Sequence, residues 1–188
     1  MDQKWETVYF GKPGKENTGE TLRLAKARAD QLGIRNIVVA SYTGYTGAQA
    51  SQLFRGYNLV VCAGMMGFQE PNMARMEPEN LRKIEADGAK VFYHLHAFGG
   101  LGRAVKNKFG AIQIDEIIAN TLRLLGQGLK VALEISCMAA DAGLIRTDEE
   151  CVSVGGSGGG ADTAVVLLPA NTHRFFDAKI REIVCKPR

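Results

Sequence analysis

The chain has 188 residues, 46% hydrophobic and 23% charged, and that balance fits one globular domain with a sizeable core and excludes a disordered chain. A formal net charge of +3, with Lys and Arg scattered, excludes nucleic-acid binding as an expectation. No apolar run reaches membrane-spanning length, and the polar start Met1-Asp2-Gln3-Lys4-Trp5-Glu6 is unlike a signal peptide, so no membrane partner and a cytoplasmic location are expected.

In chain order, Thr7-Val8-Tyr9-Phe10 predicts a first strand. A polar loop over 11–16 ends at Asn17, which has capping-box spacing with Glu20, so a helix starts there. Leu22, Ala25, Ala29 and Leu32 line one face of it, and Gly33 supplies the stop. A strand over 34–40 leads into the turn Ser41-Tyr42-Thr43-Gly44-Tyr45-Thr46-Gly47, followed by a short helix over 48–55. Residues 59–63 read as a third strand, 64–71 as an apolar loop, 78–87 as a helix with Pro78 in its first turn, and 90–94 as a strand.

Residues 96–111 carry Gly99, Gly100, Gly102 and Gly110 with Arg103, Lys106 and Lys108 but no sustained period, and read as an irregular lid. A segment held against a second subunit of a homo-oligomer is the competing reading. Ile114, Ile117, Ile118, Thr121, Leu122 and Leu125 predict a helix over 113–125, then 129–135 reads as a buried strand and 138–142 as a short helix. A strand over 151–154 enters the glycine run 155–160, a strand over 163–168 follows, and 175–188 fits helix and edge strand equally well. Strands alternating with helices specify an α/β protein, a three-layer α/β/α sandwich on a mostly parallel sheet, in a single domain over 1–188. Cys62, Cys137, Cys151 and Cys185 form no C-x-x-C pair, so neither a zinc site nor a redox motif is expected.

The 41–47 turn carries the main functional signal. After a strand and before a helix, unpaired N–H groups and the helix dipole favour an anion, most simply phosphate. Gly44 and Gly47 permit close backbone approach, and Ser41, Thr43 and Thr46 offer hydroxyls around Tyr45. The pattern Ser-x-Thr-Gly-x-Thr resembles the phosphate loop of flavodoxins, which grips flavin mononucleotide (FMN). Its spacing is not that of a Walker A loop, and the lysine of such loops is missing. A capped helix behind a flexible turn is the plain structural alternative. In an open parallel sheet the loops after the strands gather at one edge, so Thr43, Met65, His94, Ser136 and Gly155 are expected to converge.

The segment 24–54, the loop from Thr43 to Gly47 and the late glycine run before a final strand are similar to the C-terminal domain of pyruvate kinase. With Glu16-Asn17-Thr18 and the ending Lys186-Pro187-Arg188, nearly the whole chain resembles the stand-alone proteins of the pyruvate kinase C-terminal domain-like group of archaea and bacteria. The resemblance implies an α/β/α sandwich around a mixed sheet and loops able to bind a sugar bisphosphate effector. It does not imply kinase chemistry, because nothing here resembles the catalytic barrel.

Among phosphorylated small molecules, the residues favour FMN as cofactor. Tyr42, Tyr45, Met65, Met66 and Phe68 suit a planar ring, and Gly155, Gly156, Ser157, Gly158, Asp162 and Thr163 are expected to form a second wall of the same pocket. His94, with His96 two residues on, and Glu134 in an apolar stretch are the candidates for proton transfer. Ser136 and Cys137 lack a base and an oxyanion hole. No metal site is expected, since no recognised spacing links the histidines to further ligands. Three functions fit these residues: a flavoprotein with FMN bound at the convergent loops, an oxidoreductase if it is catalytic; a non-catalytic sensor of a sugar phosphate or other phosphorylated metabolite; and a hydrolase or isomerase acting on a phosphorylated small molecule through His94 or Glu134.

Overall fold

Seven strands build one sheet in the computed structural model, which describes residues 4–188 and so leaves the first three residues of the polar start outside the described residues. They are β1 (Val8–Phe10), β2 (Asn36–Ala40), β3 (Asn58–Ala63), β4 (Lys90–Tyr93), β5 (Cys151–Gly155), β6 (Thr163–Leu168) and β7 (Lys179–Pro187), in the order β1-β7-β6-β5-β2-β3-β4. β6 runs antiparallel to both of its neighbours, and the remaining pairs are parallel. The helices are α1 (Thr18–Leu32), α2 (Tyr45–Leu53), α3 (Pro78–Ala86), α4 (Leu101–Phe109), α5 (Ile114–Arg123) and α6 (Gln127–Asp141).

Alternation along the strands divides the core in two. Ile37, Val39, Leu59, Val61, Val152 and Val154 meet Leu22, Ala25 and Ala29 of α1, Phe54 after α2 and Ile84 of α3. Val38, Val60, Cys62, Cys151, Val165 and Leu167 point the other way, onto Ala132, Ile135, Met138 and Ala139 of α6. The protein is therefore a three-layer α/β/α sandwich with a mostly parallel sheet.

Five expectations are corrected. Residues 129–135 are not a strand, and 138–142 are not a separate helix: both belong to α6, whose residues from Gly128 to Ala140 are buried except for half-buried Val131. A helix apolar nearly all round shows no polar face from which to read its period. Residues 101–109 of the supposed irregular lid are helix α4. Helix α2 starts at Tyr45, so Tyr45, Thr46 and Gly47 are its first turn and not loop. The Asn17–Glu20 capping box does not form: Asn17 Nδ2 donates to the Lys12 and Gly14 carbonyls, while Glu20 pairs with Arg23. The C-terminal piece resolves into a short 3-10 stretch, Thr172–Asp177, and strand β7.

Candidate functional site

Strands β1 to β5 are mutually parallel, so the chain leaves each of them on one edge of the sheet. Where the loops after β2 and β3 face α6, they enclose a cleft of about 230 Å³. Ser41 and Tyr42 come from the first loop, and Gly64 and Phe68 from the second. His96 follows β4, Arg103 comes from α4, Arg123 from α5, and Lys130 and Glu134 from α6. Gly64 lets the Tyr42 ring lie against the backbone, since a side chain at 64 would collide with it. Phe68 meets Tyr42 edge-on at 6.2 Å, lies 5.3 Å from the His96 ring and carries the Arg103 guanidinium 4.9 Å from its centroid.

The floor is ionic. Lys130 and Glu134, one helical turn apart and both buried, form an ion pair, and Glu134 Oε1 also accepts the Phe98 N–H at 3.0 Å. Burial pulls the Lys130 ammonium below its ordinary range, opposed by the neighbouring Glu134 carboxylate. Burial likewise lowers His96; Glu134 acts against that, while Lys130 and Arg103 reinforce it, so the imidazole is neutral at pH 7. Arg123 is steered by neutral partners, Gln127 Oε1 at 2.7 Å and Asn120 Oδ1 at 2.8 Å. Among the described residues neither Arg103 nor Arg123 has a carboxylate partner. A second hollow of about 260 Å³ between α4 and α5 shares both arginines and adds Lys106, Asn107, Asp115 and Glu116.

Of the residues singled out in the sequence as ligand-binding or catalytic, Ser41, Tyr42, Phe68, His96 and Glu134 line this cleft. The 41–47 turn does cap a helix, but much of its chemistry is used internally. Ser41 Oγ accepts the Gly47 N–H at 2.8 Å, and the Thr43 carbonyl accepts from Glu77 N–H and Asn80 Nδ2, each at 3.1 Å. Gly44 takes φ 93°, and a side chain on it would meet the Met76 sulfur at 2.7 Å. At Gly47 a Cβ would lie 2.8 Å from Ile84 and 2.9 Å from Val61. Both glycines thus answer to packing of α2 on the sheet and α3. Thr46 is buried, and the Tyr45 ring lies beneath Lys15 Nζ at 3.8 Å.

The expected convergence is partial. His94 lies off the cleft with Nδ1 donating to the Leu95 carbonyl at 2.8 Å, Met65 is half-buried and Met66 exposed. Ser136 is corrected from edge loop to helix interior, where its hydroxyl donates to the Leu133 carbonyl at 2.8 Å. The late glycine run packs elsewhere. Gly155 seats the start of α6, Gly156 faces the Gly160 carbonyl, and Gly160 abuts Lys15 and Thr18. Asp162 is buried, accepting from Gly14 N–H at 3.1 Å and the Thr163 hydroxyl at 2.8 Å. Ser157 and Gly158 sit at the tip of this turn, half-buried and exposed. Arg123 and Lys130 escaped the sequence reading, although Lys130 and Glu134 show the four-residue spacing of a helical ion pair. Among the described residues no group of three or more His, Cys, Asp and Glu side chains could hold a metal ion, and no helix is long and apolar enough to cross a membrane.

No protein-family model matches the chain. Among solved structures the chain is similar to O-ureido-L-serine synthase, at 16% identity and TM-score 0.32, over 71% of this chain and 49% of that one. A mutant of that synthase bound to O-ureido-L-serine gives 17% identity and TM-score 0.31 over the same shares. The chain spans about half the length of these structures, and at such scores no activity is read from the likeness.

Proposed function

We propose that this chain binds a phosphorylated small molecule, with FMN as the ligand its lining suits, in the cleft between the β2 and β3 loops and helices α4 to α6. The observation that carries this reading is the pair Arg103 and Arg123, cations that have no carboxylate partner among the described residues and border both hollows. A phosphate dianion needs such donors, and guanidinium groups offer charge-assisted hydrogen bonds in a fixed fork. Tyr42, Phe68 and His96 supply the flat, apolar wall a heteroaromatic ring requires. The two hollows together reach the roughly 300–1,000 Å³ of small-molecule sites.

Binding is favoured over general-base catalysis by the state of the acid–base candidates. Glu134 is held by Lys130 and the Phe98 N–H, and His94 lies off the cleft, which leaves neutral His96 as the group able to exchange a proton with a ligand. A sensor of a phosphorylated metabolite would use the same arginines. Membership of the pyruvate kinase C-terminal domain-like group is part of this proposal, supported by the mixed sheet with its antiparallel β6.

The test is titration of the purified chain with FMN, read by flavin fluorescence, beside mass spectrometry of any small molecule released on denaturation. Arg103→Ala and Arg123→Ala should each weaken binding about 10- to 100-fold, the equivalent of one charge-assisted hydrogen bond. Equal affinity in the wild type and the double variant would remove this site, and tight binding of a sugar phosphate but not FMN would transfer the reading to a sensor.

A further inference from the structure

The apolar arc of α5 is wider than the fold covers. Ile118, Leu122 and buried Ala119 turn inward, whereas Ile114, Ile117 and Leu124, three, seven and ten residues apart along the helix, are exposed at 75%, 54% and 85%. Helix α4 repeats the pattern: Val105 is half-buried, while Leu101 and Phe109, four residues to either side, stand out at 81% and 69%. Ile112, in the connection between the two helices, is 66% exposed. Close packing of Gly102 on the Asp115 carboxylate seats the start of α4 against the start of α5, so Leu101 and Ile114 flank one end of the pair. The Lys106–Glu116 ion pair ties the helices together further along.

At roughly 150–200 Å² for a whole large apolar side chain, these six residues together expose about 700 Å², close to the ~800 Å² each partner gives to a standard interface. The charges nearby discriminate between occupants. Lys106 is neutralised by Glu116, Asp115 stands against Gly102 and the arginines belong to the cleft, which leaves Lys108, over the Phe109 ring, as the cation at this face; one lysine is short of the cluster of about four to eight cations that an anionic membrane attracts.

We propose that the exposed faces of α4 and α5 form the isologous interface of a homodimer, each copy covering the other's Leu101, Phe109, Ile114 and Ile117. This inference does not depend on the ligand reading, because dimerisation uses the outer faces of the helices that present Arg103 and Arg123 inward. Sedimentation equilibrium of the full chain should give about twice the 20.4 kDa subunit mass at micromolar concentration. Ile114→Glu and Leu101→Glu should each raise the dimer dissociation constant at least about 100-fold while retaining the native circular dichroism spectrum. Should either variant misfold, amide exchange of the wild type across a dilution series decides, with protection of 101–125 expected to fall as the dimer dissociates. A wild type of subunit mass at all concentrations would overturn the proposal. So would a dimer indifferent to both substitutions and to dilution-dependent exchange at α4 and α5, or a monomer that sediments with vesicles rich in anionic lipid.

Discussion

Lys130 and Glu134 are the residues on which the local electrostatics turn. Two charges removed from water are tolerable here because each neutralises the other and the carboxylate also accepts a backbone N–H. Glu134→Ala should therefore cost about 3–5 kcal/mol, since it leaves an ammonium buried without its counter-ion. Adding Lys130→Met should restore much of that loss, and urea denaturation of the two single variants and the double variant measures the coupling. Additive losses would mean that the pair is not coupled. His96 gives a second residue-scale expectation. Its folded-state pKa is depressed below the ordinary value of about 6.5, chiefly by burial, so the unfolded chain takes up a proton first as pH falls. This histidine leaves stability unchanged above that range, and stability declines as pH drops through it until the folded form protonates too. An NMR titration should place the His96 midpoint below that of an unstructured histidine, and a bound phosphate should move it upward with proton uptake. A midpoint at or above 6.5 in the ligand-free chain contradicts the burial argument.

At the scale of elements, the 41–47 turn separates two roles that look alike in sequence. If Gly47 exists for packing, Gly47→Ala should destabilise the fold by about 1–3 kcal/mol, because its methyl group would press on Ile84 and Val61, while ligand affinity stays close to that of the wild type. Thermal unfolding and FMN titration of the same variant check both halves; lost affinity with an unchanged Tm would return the turn to the phosphate. Strands β2, β3, β5 and β6 were legible in the sequence because each is a short β-branched run bounded by turn residues. Helix α6 was not, because burial on nearly every side erases its period. Helix α4 was obscured by the glycines at and just before its start, one of which, Gly102, packs on Asp115, whose carboxylate a side chain there would strike. Tyr42, Phe68, His96 and Arg103 were visible as edge residues, since loops after parallel strands share one edge. Arg123 and Lys130 depend on the packing of α5 and α6, which no local pattern specifies.

For the molecule as a whole, the ends of the chain are joined through β7. It lies between β6 and β1, pairing parallel with β1 from Val8 opposite Cys185 to Phe10 opposite Pro187, and antiparallel with β6. Thr7 donates to the Ile183 carbonyl at 2.9 Å, Arg188 N–H to the Phe10 carbonyl at 3.1 Å, and Arg28 of α1 pairs with Glu182. Removal of β7 would strand β1, which among the described residues pairs with β7 alone, and turn β6 from an interior strand into an open edge with its ladder groups unpaired. It would also take Val184 and Cys185 from the core beneath α1 and leave Arg28 without its carboxylate. A domain stable by only about 5–15 kcal/mol cannot absorb losses of that kind together. A chain ending at Ala178 should thus retain helical circular dichroism but lose its near-ultraviolet signal and its cooperative calorimetric transition. A sharp transition with native near-ultraviolet intensity would mean that β1 and β7 are an appendage, and that the fold is complete with the five strands from β4 to β6.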